Sequence, residues 1–192
     1  GAGEAEMLMH VVRGFTAPAK ERQPAQLVGR LTEYESRMVP VVQAHGGNID
    51  KFLGDGILAT FGAVLPSDTF AADAMRAAND LNRTYLAWKA DRVAAGQKPV
   101  DIGIAVVTGR IVFGAVGDET RLEYTVIGDP VNLCATLEKH NRTAGSVALT
   151  TRESYGLAKR QGFVPVADCE ERSGDMIGGV DYPIDTIVLA GR

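Results

Sequence analysis

The chain has 192 residues, 45% of them apolar and 23% charged, with a net charge of −4. That length suits a single domain over 1–192 with one core, and the acidic balance gives no electrostatic case for nucleic acid or an anionic membrane face. No apolar run reaches the 18 or so residues needed to span a bilayer.

In chain order, Met7–Val12 is a short apolar run and reads as a central strand. Pro24–Ala44 reads as a helix with Leu27, Leu31, Tyr34, Met38 and Val41 on one stripe, kinked at Pro40 and stopped by Gly46-Gly47. A hairpin follows. Ser67 or Asp68 then caps a long helix to Ala95, whose stripe of Ala71, Met75, Ala78, Leu81, Tyr85 and Trp88 faces the core. Pro99–Val107 and Gly109–Val116 read as two strands separated at Thr108-Gly109. Asp118–Glu123 is a charged reversal before a strand over Tyr124–Ile127. Val131–His140 is helical, Val147–Leu149 a strand and Glu153–Arg160 a short helix. Asp168–Leu189 forms two strands around Gly178-Gly179. Strands and helices interleave and several strands are joined by tight turns. This predicts an α+β sandwich, with helices on a mainly antiparallel sheet.

The N-terminus begins Gly-Ala-Gly rather than Met, as expected of a domain excised from something longer, and is too short and acidic for a signal peptide. The only cysteines are Cys134, on a buried helix face, and Cys169. Two such residues make a disulfide framework or zinc site a poor reading and point to a reducing, cytoplasmic setting.

Chemistry concentrates in His45–Phe61, HGGNIDKFLGDGILATF, and Glu123–Asn132, EYTVIGDPVN. A carboxylate at the Gly54-Asp55-Gly56 turn stands at a sheet rim, where a divalent ion carrying phosphate oxygens could reach it. On the hairpin alone, Asp55 is as well explained by its fitness for left-handed turn geometry, because Asp-Gly is a common hairpin signal.

Together with RGFT at Arg13–Thr16, GIAVVTGRIVFGAVG at Gly103–Gly117 and VNLCATLE at Val131–Glu138, these segments carry a family resemblance. The chain resembles the catalytic domain of class III nucleotidyl cyclases over nearly its whole length. The resemblance implies a palm-like, ferredoxin-related fold. It also implies attack of a ribose 3′ oxygen on the α-phosphorus of a nucleoside triphosphate, with release of pyrophosphate. Two Mg or Mn ions about 4 Å apart serve such chemistry well.

Mapped by the resemblance, Asp55 matches the second of two metal-holding aspartates. The first falls at Val11, which has no ligand atom, and Glu4 and Glu6 lie too far upstream to replace it, so an impaired metal site is expected. Lys51 and Thr125 match the pair that reads the purine, in a form favouring ATP over GTP. Asn132 matches the residue that orients the ribose. The arginine expected one helical turn later, which stabilises the transition-state phosphate, is Thr136 here. Arg121 matches a phosphate contact. Near the C-terminus the family's Lys-Gly-Lys/Arg becomes Ile177-Gly178-Gly179, which removes a lysine from the triphosphate tail. The implied partners are ATP or a related purine nucleotide and a second domain arranged head to tail, either another copy or an intact cyclase domain. Two readings follow: an adenylate-type cyclase domain in cyclic-nucleotide signalling that is weak or inactive alone, and a non-catalytic cyclase-like module that binds nucleotide or dimerises to regulate a partner.

Overall fold

The sheet is built outward from β1 (Ala2–Arg13), which pairs antiparallel with β3 (Gly56–Phe61) on one side and β4 (Asp101–Asp118) on the other. The computed structural model describes residues 2–13, 24–118, 121–127 and 129–192, with the backbone alone for 2–13, 27, 113–118 and 121–127. Of the RGFT motif, Gly14–Thr16 lie outside the described residues.

Beyond β3 comes β2 (Asn48–Phe52), and beyond β4 come β6 (Ser146–Thr151), β8 (Ile184–Gly191) and β7 (Glu170–Asp175). Strand β5 (Arg121–Ile127) pairs with the far half of β4. Every pairing is antiparallel except β4 with β6. The expected α+β arrangement on a mainly antiparallel sheet is what forms.

Helices cover both faces, so β3 and β6 are buried at every position. Side chains alternate along β3. Ile57, Ala59 and Phe61 pack beneath α1 (Pro24–Ala44), α2 (Phe70–Ala94) and α4 (Arg152–Arg160), with Tyr34, Met38, Met75, Leu81 and Trp88. Leu58 points the other way, toward α3 (Asp129–Ala144), into a cluster with Ala105, Cys134, Leu137 and Leu149. The predicted stripe of α2 is buried throughout, from Ala71 to Trp88. Trp88 is fully enclosed and donates its indole N–H to Glu33 Oε1 at 2.7 Å, which satisfies its one polar atom.

Helix α1 matches its predicted span and runs through Pro40. Its buried stripe continues to Val42, because residues four apart stay on one face; Val41 is only partly buried. The helix ends in a Schellman motif: Gly46 has φ +82°, its N–H reaches Gln43 O, and Gly47 N–H reaches Val42 O at 3.0 Å. Helix α2 starts after Thr69 rather than Ser67 or Asp68. Ser67 Oγ accepts from the Thr69 N–H in the preceding turn, and the Thr69 hydroxyl is spent on Asp73.

The break expected at Thr108-Gly109 does not form, and β4 runs unbroken for 18 residues. Gly109 has a different use. The ring of Pro130 lies 2.2 Å from where a Cβ would stand, so glycine is what lets the start of α3 press against the strand. Likewise, Gly178-Gly179 does not join β7 directly to β8. Gly179 (φ +90°) takes the third position of a turn closed by Val180 N–H to Ile177 O, inside a longer loop between the two strands.

Candidate active site

The β2–β3 corner is a very tight reversal. Asp55 N–H bonds Leu53 O at 2.6 Å across Gly54, whose φ of +68° closes a three-residue turn. Among the described residues no non-glycine has positive φ. Asp55 therefore does not supply the left-handed geometry, and the turn itself gives no reason for a carboxylate at this position. The Asp55 charge, after burial, helps push the buried Tyr34 phenol well above its usual value. Strand register brings the backbone of position 11 level with Gly56 on one side and Gly103 on the other, next to this corner.

Lys51 belongs to the same hairpin. The register of β2 against β3 slips between Ile49 and Lys51, so Asp50 is the extra residue of a bulge. Lys51 Nζ stands 3.7 Å from Asp50 Oδ2. Burial pushes the Asp50 carboxyl above its ordinary value, with Lys51 pulling the other way. Strand β2 also approaches β5, where Thr125 pairs with Gly114 and Arg121 with Asp118 along the β4–β5 arm. The strands carrying Lys51 and Thr125 are thus neighbours.

A second region lies at the first turns of α3. A cavity of about 230 Å³ is lined by Asp129, Asn132, Thr136, Gly179, Asp181 and Tyr182, together with Leu133 and Val180. The Thr136 hydroxyl donates back to Asn132 O at 2.9 Å, so it is spent on its own helix. Ile177 does not face this cavity. It is 3% exposed and packs with Cys134 and Leu137 beneath α3. Of the stretch Ile177-Gly178-Gly179, Gly179 is the residue that opens on the cleft, its Cβ position 3.9 Å from Thr136 Cγ2.

The structure gathers Asn132, Thr136 and Gly179 at one cleft, and position 11, Lys51 and Asp55 at the hairpin corner. Neither Lys51 nor Asp55 lines the cleft. Among the described residues no Lys or Arg lines the cleft, and two carboxylates do, so these residues present polar groups without a counter-charge for phosphate. The donor set does not fit a pair of divalent ions. Valine offers no ligand atom at position 11, and among the described residues no three His, Cys, Asp or Glu side chains group to hold a metal. Sequence reasoning missed Asp50, Asp181 and Tyr182. Asp50 had a signal, since two charged residues, Asp50 and Lys51, stand between Ile49 and Phe52 where strict alternation leaves room for one. The other two sit in a loop with no periodicity to read. Among the described residues no helix is long and apolar enough to cross a membrane.

Similarity to known proteins points one way. The profile described as the adenylate and guanylate cyclase catalytic domain matches residues 2–173. Adenylate cyclase 1 of Rhizobium meliloti is 33% identical over 137 residues, covering 71% of this chain and 21% of that protein. The adenylate cyclase of Anabaena cylindrica is 30% identical over 145 residues, covering 73% and 28%. This chain spans well under two thirds of each relative. Among solved structures, the adenylyl cyclase CyaB from P. aeruginosa superposes with a TM-score of 0.83 at 27% identity, covering all of this chain and 96% of that one. The guanylyl cyclase Cya2 gives 0.84, also at 27%, covering all of this chain and 93% of that one. The fold is shared by an adenylyl and a guanylyl enzyme alike, so the choice of base rests on side chains.

Proposed function

The chain belongs to the family of adenylate and guanylate cyclase catalytic domains, and we propose that it is an adenylate-type member whose purine-reading half is intact and whose phosphate-handling half is depleted. The observation that carries this reading is the register of β1: position 11 stands level with Gly56, one residue from Asp55, and is a valine. Asp55 is left to hold a metal without its expected partner, so Mg or Mn binding is impaired.

On this reading Lys51, with a hydroxyl from Thr125, reads the ring nitrogen and exocyclic amine of adenine. Asn132 orients the ribose from the first turn of α3. The cleft supports the second half of the reading, since Thr136 turns its hydroxyl onto its own helix and no cation lines the wall among the described residues. Arg121, on the β4–β5 arm, is the one phosphate contact retained. Losing a preorganised cation of this kind costs about 10²–10³ in rate.

Neither Lys51 nor Asp55 is among the residues lining the α3 cleft, which favours a site completed by a second domain placed head to tail. A homodimer would hold two equally depleted sites. An intact cyclase domain as partner would bring both aspartates to this chain's Lys51, Thr125 and Asn132. The runner-up, a non-catalytic module that binds nucleotide or dimerises to regulate a partner, is favoured by the same depleted cleft.

Two measurements test the reading. Calorimetry with a non-cyclisable ATP analogue, with and without manganese, is expected to show binding that prefers the adenine over the guanine nucleotide. An assay of cyclic AMP formed from ATP with manganese is expected to show little turnover by the chain alone. Brisk turnover by the unpartnered chain overturns the depleted-site reading. Binding with no cyclic AMP above background selects the module.

A further inference from the structure

We propose that Asp50 is a positioning residue for Lys51, holding the ammonium where a purine edge is read. The proposal rests on the base-reading assignment above and adds to it a residue that does not itself touch the base.

The geometry begins with the bulge. Two consecutive residues, Asp50 and Lys51, stand against one stretch of β3, and Lys51 is the one paired with Leu58. A bulge re-aims a side chain at a sheet edge, and here it sets a carboxylate oxygen 3.7 Å from an ammonium on the next residue. The two side chains differ in exposure: 6% for Asp50 and 44% for Lys51. The carboxylate is the anchored member of the pair, and the ammonium is the one a ligand can reach.

Asp50 is badly placed for stability. Its Oδ2 is buried with no hydrogen-bond partner within 3.5 Å, and the Lys51 ammonium, 3.7 Å away, is the cation it leans on. The Thr60 hydroxyl, on the adjacent strand β3, is the other buried side-chain polar atom left without a partner among the described residues. A buried acceptor without a donor destabilises the fold. The direction of its titration agrees: a carboxyl raised by burial weakens the folded state at neutral pH, and that cost is relieved as pH falls through the raised value. A residue kept for folding would be satisfied. This one keeps a buried oxygen without a close donor and leans on an ammonium assigned to reading a ligand, which is where stability is traded for function.

The charge also bears on selection. Held at the bulge, the Lys51 ammonium presents a donor at fixed height to an acceptor on the purine edge. Without the Asp50 charge it loses that restraint, and its preference for adenine over guanine narrows.

The test is calorimetric titration of non-cyclisable ATP and GTP analogues into the whole chain and its D50N, K51A and D50N/K51A variants, with thermal unfolding of each. Expected are a loss of ATP-analogue affinity of about five- to tenfold in D50N, a narrower preference over the GTP analogue, and an unfolding midpoint equal to or above the parent's. In the K51A background D50N is expected to change affinity no further, and the Lys51 ammonium nitrogen resonance should move in D50N. Unchanged affinity in D50N, an equal loss with and without Lys51, or a lowered unfolding midpoint each overturns the proposal while leaving base reading in place. If K51A itself leaves affinity unchanged, or the parent binds neither analogue, the base-reading assignment fails and takes the proposal with it.

Discussion

The β2–β3 corner and the α3 cleft were both expected to carry polar chemistry, yet they are built on opposite terms. At the corner, polar groups are held at a cost to the fold: a left-handed Gly54, a bulge, and a buried carboxylate oxygen with no hydrogen-bond partner within 3.5 Å. At and beneath the cleft, two of the family's positions are turned inward on the chain itself. Thr136 bonds its own helix, and Ile177 fills the core beneath it. Unsatisfied groups persist where something else uses them. On the proposed reading, the corner is constrained by a ligand and the cleft largely by packing.

The hardest way to break that contrast is to force the lost cations back. Ile177→Lys is expected to fail. It removes a side chain packed on Cys134 and Leu137 and buries an ammonium, costing about 3 kcal/mol or more in urea unfolding. Gly179→Lys, at the position that opens on the cleft, costs only the left-handed strain of about 1–2 kcal/mol and should raise affinity for a triphosphate over a nucleoside. If the two variants behave alike, the division between core and cleft along this stretch is wrong.

Gly109→Ala tests how firmly the cleft is mounted. A methyl would stand 2.2 Å from the Pro130 ring, so α3 must shift, at an expected cost of about 1–3 kcal/mol. The same variant should weaken any nucleotide contact through Asn132, read by calorimetry. It should leave the Lys51 ammonium resonance where it was, since the hairpin does not lean on Pro130.

Much of this was legible beforehand, for a reason visible in α2. Its buried stripe from Ala71 to Trp88 repeats at the helical period, and periodicity is what a sequence displays most openly. The failures fall where a residue's reason is tertiary. Thr108-Gly109 has the composition of a turn, but the glycine is there for a proline 21 positions away. Asp55-Gly56 looks like a turn built on its aspartate, whereas Gly54 carries the geometry. For the candidate site, matching motifs named Asp55, Lys51, Asn132 and Thr136. They did not locate Asp50 or Asp181, whose surroundings exist only once strand register and loop path are set.

Restoring two missing parts together sharpens the comparison from the side of chemistry. Val11→Asp with Thr136→Arg is expected to raise cyclic AMP formation with manganese by about tenfold or more, equivalent to about 1.4 kcal/mol of barrier. The two changes act in different regions, one beside the corner and one in the cleft. Either alone should do less than the pair, because a metal ligand and a phosphate cation support the same charge. An inert double variant with intact nucleotide binding would show that the cleft is not where phosphate is handled.

The smallest effect is the most discriminating. Thr136→Ala removes a hydroxyl that bonds only the carbonyl four residues back on its own helix. Such a bond slightly disfavours the helix, and alanine is the better helix former, so stability should change by no more than about 0.5 kcal/mol and upward if at all. Affinity for an adenine nucleotide should not move, because the hydroxyl is already committed and, among the described residues, no cation lines the cleft to bring phosphate to it. A clear loss of affinity in Thr136→Ala would mean that the hydroxyl turns outward to meet the ligand. Position 136 would then be a working contact of a different chemical kind, and the cleft could no longer be set against the hairpin corner as the part given over to packing.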